Sequence, residues 1–210
     1  MLDDLELDRL FHECGYVKHG RFQYKFNSSV ENIHKYVEME RSVRDKSRMP
    51  GRVCIGNTNL SAECGKIWLL YSGETAVVSE NNFYTLSQIF LNIDRKRNYT
   101  QTGALLVSDP ANVSAFLDEL ITPLLRPIDS IEKLYDVTVR GDDTPFNWTV
   151  GIPGIRATHA LILGKNLDKS FSDVVSQLNV RRQILKQWSS TRDVDNFFDF
   201  VWRNTAYVRF

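Results

Sequence analysis

Apolar positions near the start of the chain change period. Leu7, Leu10, Phe11 and Cys14 recur at i, i+3, i+4 and i+7, with Gly15 behind them. That spacing predicts an amphipathic helix with a glycine stop. From Tyr16 to Phe26 the period falls to two. Phe22, Tyr24 and Phe26 alternate, and His19-Gly20 supplies a turn, so a hairpin with one aromatic face is expected. Ser28 and Glu31 match a capping box for a following helix. Val30, Ile33, Tyr36, Val37, Met39 and Val43 spread too widely around a cylinder for a clean helix, and a strand from Ile33 to Met39 is the alternative. Arg41 to Arg52 reads as a basic loop, and Val53 to Gly56 as a short strand.

Lys66 to Tyr71 and Thr75 to Ser79 flank Ser72-Gly73-Glu74, the clearest hairpin signal in the chain. Phe83, Leu86, Phe90 and Ile93 mark a helix, and Asp94 to Thr102 a polar loop. Asp109-Pro110 opens another helix, with proline at the favoured first position. Its stripe is Val113, Phe116, Leu117 and Leu120, and Pro123 should end or kink it. Asp129 caps a short helix to Tyr135. Strands are expected at Val137 to Arg140, Phe146 to Ile152 and Arg156 to Leu163, the last apolar on both faces and therefore central. Two helices follow. Phe171, Val174, Val175 and Leu178 form the first, capped by Ser170. Val194, Phe197, Phe198 and Val201 form the second, with a capping box at Ser190 and Asp193.

Runs of strands separated by runs of helices predict an α+β fold. The sheet should be mainly antiparallel, with helices packed on one face and two C-terminal helices. Residues 1–210 read as one α+β domain, with any division into two lobes falling near residues 94–102.

Composition narrows this picture. The chain has 210 residues, 42 % of them hydrophobic and 25 % charged, a globular balance that argues against wholesale disorder. Formal net charge is zero. Attraction of the whole molecule to nucleic acid or an anionic membrane is therefore not expected, and weak self-repulsion favours association. Three cysteines without framework spacing do not make a disulfide scaffold. The start, Met1-Leu2-Asp3-Asp4-Leu5-Glu6, lacks the basic and apolar regions of a secretion signal, and no apolar run approaches the roughly 20 residues of a membrane span. A soluble, cytoplasmic protein with no membrane partner is expected.

Candidate chemistry is sparse. Gly51 to Thr58 has the glycine spacing of a phosphate loop, but Asn57 stands where the phosphate-binding lysine belongs. His12, His19, His34 and His159 form no pair with ligand spacing, so no metal is expected; nor does any motif call for another cofactor. Asp142 and Asp143 sit in an expected turn. They could hold a divalent cation, although Asp-Asp is equally ordinary turn chemistry. Glu38 and Glu40, with Lys35 or Arg41, faintly resemble a metal nuclease's charge pattern. Basic clusters at Arg41, Arg44, Lys46, Arg48 and Arg52, at Arg95, Lys96 and Arg97, and at Arg181, Arg182 and Lys186 could track a phosphate backbone, with Tyr99 stacking on a base.

The strongest interaction signal is the chain's last helix. Trp188, Phe197, Phe198, Phe200, Trp202, Tyr207 and Phe210 supply seven of the 24 aromatic residues. Phe200, Phe197, Val201, Val194, Phe198 and Trp202 cover an arc of about 200° at 100° per residue. A surface helix shows an apolar arc of about 100° or a little more. The excess requires cover, from the protein's own core or from a partner. Phe200, Trp202, Tyr207 and Phe210 are the candidate partner-binding residues. The expected function is non-enzymatic: a protein that docks a protein partner or a second copy, of inhibitor, immunity or adaptor type. The alternatives are a nucleic-acid-binding protein or metal-dependent nuclease using the basic clusters with Asp142 and Asp143, and an enzyme of unfamiliar type.

Overall fold

The computed structural model describes residues 2–26, 33–73, 82–85, 100–101, 104–140, 153–178 and 191–208. The chain divides into two compact units. A sheet unit takes Met1–Val30, His34–Ile55 and Phe83–Asp129, and a helical unit takes Glu31–Ile33, Gly56–Asn82 and Ser130–Phe210.

In the sheet unit, α1 (Asp4–Glu13) starts at a reciprocal capping box. Glu6 donates its N–H to Asp3 Oδ1 at 2.8 Å, and Glu6 Oε2 accepts the Asp3 N–H at 3.1 Å. Its buried stripe is Leu7, Leu10 and Phe11. Gly15, at φ +86°, turns the chain into β1 (Tyr16–Gly20). β2 (Gln23–Phe26) and β3 (Ile33–Met39) follow, each antiparallel to its predecessor. Alternation along β3 buries Ile33, Lys35, Val37 and Met39 on one face. On that face Phe11 stacks on Tyr24, with ring centroids 3.7 Å apart.

The β1–β2 turn falls at Arg21-Phe22, two residues beyond the expected His19-Gly20. Gly20 stays in the strand, paired with Gln23. Phe22 takes the left-handed conformation, φ +58°, that glycine adopts without cost. Burial of its ring and the Met39 N–H, which donates to the Phe22 carbonyl at 2.9 Å, hold it there.

β4 (Arg48–Met49) interrupts the expected basic loop, and β5 (Gly51–Asn57) begins before Val53. With β6 (Asn82–Thr85) the first sheet has the order β1-β2-β3-β5-β6. β7 (Thr100–Gln101) and β8 (Ala104–Leu106) join β4 in a second, antiparallel sheet of order β4-β8-β7. The expected helix through Phe83 is thus a strand at residues 82–85. Residues 86–99, which hold the rest of that expectation and most of the polar loop, lie outside the described residues.

Asp109 caps α3 (Pro110–Phe116), with proline in its first turn as expected. A π-helical turn (Leu117–Ile121) then leads into α4 (Thr122–Leu125). Proline cannot donate the bond that an α-helix requires, and the wider turn just before Pro123 absorbs the defect. It also adds one residue to the period. Ile121 therefore takes the inward place expected for Leu120, which is half-buried.

The helical unit opens with α2 (Thr58–Ser72), capped by Asn57 Oδ1 accepting the Leu60 N–H at 3.0 Å. Gly73, at φ +72°, closes it as a left-handed C-cap. The expected hairpin at Ser72-Gly73-Glu74 is therefore wrong up to Gly73: residues 66–71 are helical, and residues 75–79 lie outside the described set. α5 (Ile131–Arg140), α6 (Pro153–Asn166), α7 (Phe171–Leu178) and α8 (Thr191–Asn204) complete the unit. Two further strand expectations are overturned, because residues 137–140 end α5 and residues 156–163 lie within α6. Residues 146–152 are outside the described residues.

α6 packs against α2, α5, α7 and α8. Ala157, Ala160, Leu161, Ile162 and Leu163 are all buried, alongside Arg156, Thr158 and His159. A helix covered on all sides shows no amphipathic period, which is why its sequence imitates a central strand. Ser130, rather than Asp129, caps α5, its Oγ accepting the Lys133 N–H at 3.3 Å. Ser170 caps α7 as expected, accepting the Asp173 N–H at 3.1 Å.

Candidate docking surfaces

α8 carries the wide apolar arc that its sequence requires. Val194, Phe197, Phe198 and Val201 are buried, and Phe197 meets Trp68 and Tyr71 of α2 at 5.5 and 4.8 Å between ring centroids. The protein's own core covers the centre of the arc. Its edges differ. Trp202 is half-buried against Phe171, 5.4 Å away, and the Lys165 ammonium lies 5.8 Å from its ring. Trp202 is thus committed inside its own unit. Phe200 is half-buried and meets Tyr71 at 5.2 Å, at an edge that remains partly open.

Tyr71 of α2 forms the other side of that edge. Leu69, Leu70 and Tyr71 are 46, 65 and 42 % exposed. Leu60, Cys64, Ile67 and Tyr71 form the helix's i, i+4, i+7, i+11 stripe, and Leu69 and Leu70 fall off it. Their exposure follows from the period of the helix. Reading this stretch as a strand hid it.

The chain after α8 is fastened down. Lys165 Nζ donates to the carbonyls of Trp202 and Thr205 at 2.7 and 2.8 Å. Val208 donates its N–H to Asn166 Oδ1 at 2.7 Å, and Ala206 its N–H to the buried Glu63. Tyr207 stays 71 % exposed, its hydroxyl 3.4 Å from Asp168 Oδ1. Of the expected partner residues, Phe200, Trp202 and Tyr207 belong to the helical unit, and Phe210 lies outside the described residues.

The edge beside Phe200 has a definite electrical character. α2 ends at Tyr71-Ser72-Gly73 with no basic residue in its last turn, so the negative end of its dipole stands beside Leu69, Leu70 and Tyr71. Asp193 and Asn196 precede Phe200 on its own face of α8, and both are exposed. Arg203, which follows Phe200 on that face, is held by Asp199 at 2.9 Å.

The sheet unit has a different feature, a concavity of about 470 Å³ lined by Arg21, Glu38, Met39, Glu40, Pro50, Gly51 and Arg52. Glu38 accepts from Arg52 Nε, and from Gln23 Nε2 at 3.3 Å. Residues 38, 40 and 52 were visible as charges in the sequence. Their gathering with Arg21 depends on strand pairing.

Of the residues considered for nucleic-acid or metal chemistry, Arg95, Lys96, Arg97, Arg181, Arg182, Lys186, Asp142 and Asp143 lie outside the described residues, as does Tyr99. Among the described residues, no group of three or more His, Cys, Asp or Glu could hold a metal ion. No helix there is long and apolar enough to cross a membrane. None of the three cysteines forms a disulfide. The chain matches no family model, no curated protein and no solved structure.

Proposed function

We propose that this protein is a docking module that acts by binding another protein, with the edge formed by Tyr71 and Phe200 as its docking surface. The observation that carries this reading is the contact of Tyr71 with Phe200, two aromatic rings that both stay partly open to solvent. Clustered apolar side chains at a surface mark interaction sites, whereas scattered ones need no explanation. Aromatic residues are enriched in interface cores. The dipole end of α2 selects a partner that is basic as well as apolar, so the occupant is a basic amphipathic segment of another protein. No catalytic chemistry is needed for this role, since docking requires complementary shape and charge.

A model peptide tests the reading. A 14-residue helical peptide of leucine and lysine in amphipathic order should bind the wild type, and more weakly as salt is raised. Its leucine–glutamate counterpart should not bind. Phe200→Ala should weaken the peptide by about tenfold, or 1.4 kcal/mol, whereas Leu70→Ser, an exposed change on another face of α2, should leave binding unaltered. Equal binding of the two peptides, or unchanged binding by folded Phe200→Ala, would refute the assignment.

A further inference from the structure

The concavity of the sheet unit is built by backbone as much as by side chains. Glu40 donates its N–H to the Pro50 carbonyl at 2.9 Å, and Ser42 its N–H to Arg48 at 3.2 Å, so the chain runs back from β3 toward β5 in register. Gly51 brings the two strands unusually close. A Cβ there would lie 2.3 Å from the Glu38 carbonyl oxygen and 3.0 Å from Met39 Cα, so no other residue fits without moving backbone. At the rim, the left-handed Phe22 presents its ring to the Arg21 guanidinium at 5.3 Å and to Arg41 at 5.5 Å. A non-glycine residue held in that conformation is a cost that the surrounding structure must offset, and such positions cluster at binding sites.

The charges on the wall fall into two groups. Glu38 and Arg52 neutralise each other, and Gln23 braces the carboxylate. Arg21 and Glu40 remain. Both are exposed, and among the described residues neither side chain has an ionic partner. A lone surface charge is ordinary. Here two of opposite sign line one depression whose floor is fixed, so a single ligand can meet both.

We propose that this concavity is a second binding site, which takes a peptide segment bearing one carboxylate and one ammonium or guanidinium group. The Arg21 fork receives the carboxylate, and Glu40 receives the cation. Other ligand classes fit less well. A phosphate backbone would meet two carboxylates. A divalent cation would find Glu38 already held by Arg52. An apolar ligand would find only Met39, which is buried, and Pro50. The site is independent of the docking surface on α2 and α8, and either can fail without the other.

Amide-resolved NMR on the full chain tests it with four capped tripeptides: Asp-Gly-Lys, Asp-Gly-Asp, Lys-Gly-Lys and Ser-Gly-Ser. Asp-Gly-Lys should shift the amides of Arg21, Glu40 and Gly51 and saturate, with the other three at least fivefold weaker. Arg21→Gln and Glu40→Gln should each weaken it by roughly tenfold with no change in melting temperature. No binding by any peptide, or binding that ignores both substitutions, would overturn the proposal. Asp-Gly-Asp binding as tightly as Asp-Gly-Lys would also overturn it. If a single-stranded oligonucleotide bound in that case and lost affinity in Arg21→Gln, the cleft would be a phosphate site.

Discussion

Glu63 on α2 accepts the backbone N–H of Ala206, 143 residues later in the chain, at 3.0 Å. Its other oxygen receives Lys66 Nζ at 3.3 Å. A buried carboxylate with two donors is a clamp, and this one fixes the segment after α8 to the helix at the start of the unit. Removing it would take a charged acceptor from the Ala206 N–H, at a cost of about 1.5–3 kcal/mol. Glu63→Ala should therefore lower stability in urea by that amount and speed hydrogen exchange at Ala206 and Val208. Glu63→Gln, whose amide oxygen can still accept, should recover most of the loss.

Gly164 on α6 has no room for a methyl group. A Cβ there would lie 2.4 Å from Val174 Cγ2 and 3.3 Å from Tyr135 Cε2, and Val174 is fully buried. Overpacking of this kind typically costs 1–3 kcal/mol, against roughly 1 kcal/mol gained from alanine's helix propensity. Gly164→Ala should destabilise the protein. Combined with Val174→Ala it should cost less than the two single changes summed, because the new methyl fills the space vacated. A thermal-melt double-mutant cycle measures that coupling.

How far the sequence disclosed this fold depended on whether an element has an outside. α1, α3, α7 and α8 each show water one face, and their period could be read, as could the caps of α3 and α7 and the glycine after α1. α2 and α6 could not be read. Ile67 to Tyr71 and Ala160 to Leu163 are apolar runs whose period is erased by burial or by surplus leucines, so both passed for strands. Leu120 was displaced by Ile121 because a π turn adds a residue that no local signal announces. Phe22 took a conformation reserved for glycine although Gly20 stood two residues away, because tertiary contacts outweighed local preference. Of the candidate surfaces, Phe200 was legible from the width of an arc. Tyr71 was not, since its place beside Phe200 exists only on a helix. Arg21 and Glu40 line one concavity through strand pairing, which their separation in sequence does not reveal.

The thiols should be slow to react. Burial raises the Cys14 thiol to about 11, helped by the charge and hydrogen bond of Asp118 and then by Glu13. At pH 8 about one molecule in a thousand then carries the thiolate, against about one in ten at the ordinary value of 9.0. Burial, and then Glu63, likewise raises Cys64. Native protein should show no fast alkylation, and denatured protein three reactive thiols. Asp118→Asn should lower the Cys14 value and speed its alkylation severalfold at pH 8.

Lys35 is buried on the inner face of β3, with Nζ 5.7 Å from the Phe26 ring centroid. Burial holds its ammonium below the ordinary 10.5, and the attraction of Asp129 only partly opposes this. A lysine shifted down weakens the folded state where it is charged. The penalty is complete well below the shifted value. It fades as pH rises toward 10.5, because the unfolded chain there binds the proton more strongly. Lys35→Met should be neutral to stabilising by roughly 1–2 kcal/mol at pH 7, with the gain shrinking by pH 10 in urea titrations. A loss above 1 kcal/mol would mean that the contacts with Phe26 and Asp129 outweigh desolvation.

The bond between Glu63 and Ala206 also sets a clock on biosynthesis. The two residues are 143 positions apart, so at roughly 5–20 residues per second the ribosome makes the partner about 7–29 s after the clamp. For most of that interval Leu60, Cys64 and Ile67 of α2 have no α6 to lie against, and α8 follows only at its end. Meanwhile α1 and the β1–β3 meander, which need only near neighbours in sequence, can already pair. The greasy stripe of α2 is then the stretch of nascent chain that a holding chaperone would grip, and release would have to wait for α8.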